Sequence, residues 1–177
     1  MAAGNHTINA KERPTMNTTD IRLLFAYNDW ANQRVMDHAA QLSSEQYYAP
    51  APVPMGSLLT TLAHTLMAEV IWRRRWEGLP PIPSSEIESI ETVDALAARW
   101  QIETAALQNY VGGLTDEDLS RTVTYQNSRG TVFQQILWHL MAHMVNHGTQ
   151  HRSEAAVMLT SAGHSPGELD LIGYLRQ

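Results

Sequence analysis

The stretch Thr131–Gly163, TVFQQILWHLMAHMVNHGTQHRSEAAVMLTSAG, decides the fold. It lacks Pro and holds Gly only at 148 before its end, so it reads as one long helix from Thr131 to Gly163. His139, His143, His147 and His151 stand four residues apart within it. A four-residue step advances only about 40° around a helix, so neighbours in this series stack and two of them form a bidentate clamp. On a helical wheel Leu140, Met144 and Met158 centre on the line midway between His147 and His151. His139 falls well off that face and His143 sits at its edge. The inward pair is therefore His147 and His151. A metal takes more than two ligands and one helix does not easily place a third, so the third must come from another helix.

His64 is the candidate for that position. It shares a stripe with Met67, Ala68 and Ile71 on the flank of the apolar face of a second helix, which runs from Ser57, a plausible N-cap, to about Trp76. Spacing alone leaves two other readings open. A histidine on an apolar face also serves as a core residue bonded to a carbonyl, and a histidine-rich helix also serves as a solvated face.

The rest of the chain reads as helices and connectors. Leu24, Tyr27, Ala31 and Val35 mark a first helix between Asn17 and about Leu42, with Thr18, Thr19 and Asp20 as available caps. Pro50, Pro52 and Pro54 make a connector of Tyr47–Met55, and Gly78, Pro80 and Pro81 stop the second helix. A third opens at Thr92 and ends at Gly112-Gly113. Thr122–Tyr125 is β-branched and aromatic and Asn127–Gly130 is turn-like, which predicts a short extended piece or hairpin but no substantial sheet. Glu168–Arg176 reads as a final short helix. The predicted fold class is all-α: an up-and-down four-helix bundle with an additional short C-terminal helix. Residues 1–15 are polar and aperiodic and read as a flexible tail, leaving 16–177 as a single domain.

Composition narrows the function. The 177 residues are 44% hydrophobic, enough for a core that needs no metal or disulfide for stability, so any metal would serve chemistry. There is no Cys, which excludes disulfides, thiolate zinc sites and an internal thiol nucleophile. A net charge of −6 without a long basic run makes a nucleic-acid backbone a poor partner. The run Trp72-Arg-Arg-Arg-Trp76 reads instead as dipole-favoured charges at a helix end with Trp anchors. The acidic run Thr115–Leu119 reads as a capped turn without chemistry. No apolar run approaches the ~20 residues of a membrane span and no leader pattern is seen, so no membrane association and a cytoplasmic location are expected.

Four segments together resemble a known family. They are Leu24–Arg34 (LFAYNDWANQR), Gly56–Trp72 with its Leu62-x-His64-xxxx-Glu69-xx-Trp72 pattern, Asn146-His147-xxx-His151-Arg152, and Leu169–Arg176, in that order. The combination is similar to the DinB-like family. One departure is Ser153, where a Gly often follows His-Arg. The resemblance implies a four-helix bundle, a homodimer, and a divalent metal such as zinc, nickel or iron held by His64, His147 and His151. It further implies a metal-dependent transferase that adds a low-molecular-weight thiol of the bacillithiol, mycothiol or glutathione type to an electrophilic small molecule. A metal-dependent hydrolase or isomerase, or a non-catalytic stress-associated bundle with a structural metal, is the alternative. No general base or other catalytic residue is identifiable from spacing. Phe25, Trp30, Trp138 and Met141 add apolar surface on more than one helix face, as an interface would require.

Overall fold

The computed structural model describes residues 16–127 and 129–177; the tail expected at 1–15 lies outside them. The elements in order are α1 (Thr18–Ala39), α2 (Ser44–Tyr48), α3 (Leu58–Glu77), α4 (Ser85–Glu88), α5 (Val93–Gly112), α6 (Asp116–Leu119), β1 (Thr122–Gln126), β2 (Val132–Ile136), α7 (Leu137–Ser161) and α8 (Leu171–Tyr174). The all-α class with a short C-terminal helix is what the sequence predicts. Four long helices, α1, α3, α5 and α7, carry it. Both α1 and α3 pack along α7, and both also pack on α5, so α1 lies diagonally opposite α3. No described helix is long and apolar enough to cross a membrane.

Local chemistry explains where the helices begin. Asn17 caps α1, accepting from the backbone N–H groups of Thr19 and Asp20 while Asp20 accepts from the N–H of Asn17. Ser57 and Thr60 form the equivalent reciprocal cap on α3. At the other end of α3, Gly78 adopts φ 69°, a left-handed conformation that stops the helix at little steric cost to Gly. The acidic run after Thr115 is the capped turn α6.

The start of the last long helix differs from the sequence expectation, and α2 runs into the expected connector at Tyr47 and Tyr48. Residues 132–136 do not extend the last long helix. They form β2, antiparallel to β1 in the register Thr122↔Ile136 to Gln126↔Val132. The turn decides it: the Asn127 side chain accepts from the N–H groups of Arg129 and Thr131, each at 2.9 Å, and Gly130 takes φ 78°. Val132 and Phe133 suit the strand that this turn folds back, and α7 starts only at Leu137.

The interior consists of two apolar clusters separated by a polar layer. One gathers Leu59, Leu62, Leu66, Leu96, Ala155 and Leu159, the other Phe25, Trp76, Leu107, Leu137, Met141 and Met144. Between them the Glu69 carboxylate, 2% exposed, accepts from Asn28 Nδ2 (2.7 Å), Asn32 Nδ2 (2.8 Å) and Trp100 Nε1 (2.8 Å). The Arg152 guanidinium donates to Asn28 Oδ1 (2.6 Å) and Asn32 Oδ1 (2.9 Å). All four long helices thus meet at one buried network. Gly148 makes room for it, since a Cβ there would stand 2.7 Å from the Arg152 guanidinium and 3.0 Å from Asn28 Oδ1.

Candidate metal centre

His147 and His151 sit one turn apart on α7, and His64 projects toward them from α3, the helix packed alongside. Ring centroids are 4.5 Å apart for His147–His151, 4.7 Å for His64–His151 and 5.4 Å for His64–His147. One ring nitrogen of each lies within 4.8 Å of the others, a spacing in which the three could hold a metal ion. His151 is buried, and His64 and His147 are half-buried. Among the described residues no other group of three His or carboxylate side chains converges in this way.

The surroundings suit the rings to donate lone pairs. His151 Nδ1 lies 2.8 Å from Glu154 Oε2. An ionised carboxylate only accepts, so Nδ1 carries the proton and Nε2 is left with its lone pair free. Burial pulls the His147 pKa from 6.5 to about 4, with the neighbouring His151 and His64 acting in the same direction. Burial, then His151, lowers His64 as well. Both imidazoles are therefore neutral at pH 7, the form a metal requires.

The remaining histidines stay out of the group. His143 is exposed, with its ring 5.9 Å from His147 and 5.3 Å from Trp72. His139 lies against Trp138. The two residues that the wheel set aside are those the structure leaves apart. Sequence reasoning missed Glu154, whose only signal is its position three residues after His151. It also assigned no role to Asn28, Asn32, Glu69 and Arg152. Their signal was available: Asn28 and Asn32 are one turn apart on the buried face of α1, and Glu69 lies between Leu66 and Val70.

The three consecutive arginines of α3 separate. Arg73 pairs with Glu103 and Glu77, Arg74 donates to the Pro80 carbonyl, and Arg75 to the Gln126 carbonyl. Trp76 is a buried anchor against Phe25 and Tyr110. Trp72 instead packs between His143 and Tyr125.

Fold and site together define a helical-bundle protein whose interior brings together three histidines able to hold a metal ion. The chain belongs to the DinB family, whose sequence model matches residues 15–177. It is 26% identical over 163 residues to Protein DinB of Bacillus subtilis (strain 168), covering 86% of this chain and 91% of that protein. A DinB-like protein from Bacillus cereus ATCC 10987, solved by crystallography, superposes with a TM-score of 0.66 at 15% identity over 87% of this chain and 98% of that one. A conserved protein from Enterococcus faecalis gives 0.61 at 14% identity, covering 81% and 96%. Both solved structures share the fold.

Proposed function

We propose that this chain is a metal-dependent transferase in which His64, His147 and His151 hold a divalent zinc, nickel or iron ion and an external low-molecular-weight thiol is added to an electrophilic small molecule. The observation that carries the reading is the convergence of three imidazoles with no carboxylate among them. Three neutral ligands leave a divalent ion its full charge and fewer protein ligands than a closed structural site provides. A bound ion would supply Lewis acidity, favouring the anionic form of a thiol. The chain's own contribution is to orient and deprotonate: Glu154 fixes the His151 ring, and burial keeps His64 and His147 uncharged. With no Cys in the sequence, the thiol has to be borrowed.

The test combines elemental analysis after loading with zinc, nickel or iron and a rate assay against a panel of thiols with a chromogenic electrophile. Metal at one equivalent and a rate lost in His64→Ala support the reading. Equal rates for the two proteins with every thiol would exclude the transferase. His143, exposed beside the triad, favours hydrolysis as the second reading, because it can serve there as general base. Hydrolysis of a chromogenic ester that disappears in His143→Gln while metal content holds would select it.

The reading includes a homodimer. Of the four residues expected to supply an interface, Phe25 and Met141 are buried within the monomer core, 7% and 0% exposed. Trp30 and Trp138 remain half-buried on α1 and α7, available to a second copy. Light scattering that shows only monomer at micromolar concentration would refute the dimer.

A further inference from the structure

A cavity of about 670 Å³ lies between the C-terminal end of α3, the loop after it and the β-hairpin, lined by Ile71, Ile82, Tyr125 and Val132 with Arg74 and Arg75. None of its lining residues is Asp or Glu, in a chain of net charge −6. Neither arginine has a carboxylate within 4.0 Å among the described residues; each makes its side-chain hydrogen bond to a backbone carbonyl. The Arg75 guanidinium carbon lies 4.7 Å from the Trp72 ring and 5.1 Å from the Tyr125 ring, contacts that restrain the side chain. Burial lowers its pKa, the mark of a cation that has lost water without gaining an anion.

This groove and His64 share helix α3, although no histidine lines the groove itself. Ile71 follows His64 by two helical turns on the same face of α3, about 10 Å along the axis. Trp72, in contact with the lining residues Arg75 and Tyr125, continues toward the histidines, with its ring 5.3 Å from His143, which is itself 5.9 Å from His147. Leu79 and Val132, 44% and 54% exposed, leave apolar surface at the rim.

Resting on the metal-dependent reading above, we propose that this groove binds the body of a substrate that carries a carboxylate on an apolar frame, with the acid group on Arg75 and Arg74 and the reactive end directed along Trp72 to the three histidines. The chemistry matches at each point. A planar guanidinium held against two rings recognises a carboxylate through paired N–H groups, and the apolar lining takes a hydrocarbon or aryl frame.

The experiment is calorimetric titration of zinc-loaded and EDTA-treated protein with phenylbutanoate and with its neutral counterpart phenylbutanamide, alongside zinc analysis of each sample. The acid should bind at least tenfold more tightly than the amide, with or without zinc. Arg75→Gln should erase that preference. Val132→Glu, at an exposed strand position that does not threaten folding, should erase it too by placing a carboxylate in the groove, while zinc content stays unchanged. Equal affinity for acid and amide would overturn the proposal, as would a preference untouched by both substitutions. A preference that vanishes on zinc removal but survives Arg75→Gln would place the acid on the metal, sinking the groove and keeping the metal site. Arg75-dependent binding by protein that takes up no zinc would sink the metal reading, and with it the substrate role given to the groove.

Discussion

At the residue scale the candidate metal centre makes sharp demands. His64→Ala, His147→Ala and His151→Ala should each abolish stoichiometric metal, while His139→Ala and His143→Ala retain it; elemental analysis of dialysed protein distinguishes them. Glu154→Gln keeps the size of the side chain but weakens its hold on His151 Nδ1, and should lower metal affinity roughly 10–100-fold, as loss of such an outer partner typically does. A second expectation concerns acid. In metal-free protein the folded His147 titrates at about 4, whereas an unfolded imidazole titrates near 6.5. Between those values the unfolded chain binds a proton that the folded one refuses, so this contribution to stability is whole above 6.5 and falls as the pH drops toward 4. Urea midpoints measured across that interval should decline less in His147→Gln than in the parent chain, and parallel declines would refute the assignment. The triad was legible because helical periodicity ties a four-residue spacing to a direction in space. Glu154 was not, because a charged residue near a histidine looks the same whether it faces water or the ring.

At the scale of elements, α7 is the informative case. Gly148 interrupts an otherwise strong helix, and propensity alone would make Gly148→Ala stabilising by about 1 kcal/mol. The structure predicts the opposite sign. The added methyl would crowd the Arg152 guanidinium and Asn28, so overpacking should cost about 1–3 kcal/mol in chemical denaturation. The start of α7 shows why a boundary escaped the sequence reading. Residues 131–136 contain nothing that forbids a helix, and their strand exists only because the Asn127–Gly130 turn brings Thr122–Gln126 alongside. Pairing between segments is invisible to a local pattern. The brief helix α4 was passed over for the same reason, its Ser- and Glu-rich sequence giving no hint that Ile87 is fully buried.

At the scale of the whole molecule, the polar layer ties the bundle together. Burial pushes the Glu69 carboxyl up, against hydrogen bonds from Asn28, Asn32 and Trp100 that hold it down. Glu69→Leu would leave both amides and the Trp100 indole N–H without their acceptor and the buried Arg152 without its neighbouring negative charge, and should cost about 3–5 kcal/mol, read as a fall in urea midpoint. Metal should act in the other direction. The three histidines that could hold it come from α3 and α7, so on the proposed reading free metal at a hundredfold excess over Kd should add about 2.7 kcal/mol to global stability, visible as a rise in Tm absent from His64→Ala.

The diagonal placement of α1 and α3 bears on how the molecule is made. The first long helix to leave the ribosome rests against the last, and the hydrogen bonds that join them span 124 and 120 positions of the chain. During synthesis the side-chain oxygens of Asn28 and Asn32 must wait for their donor until Arg152 has been translated. Closing so long a loop is slow compared with zipping a helix onto its immediate successor, which makes the α1–α7 junction a late event in folding.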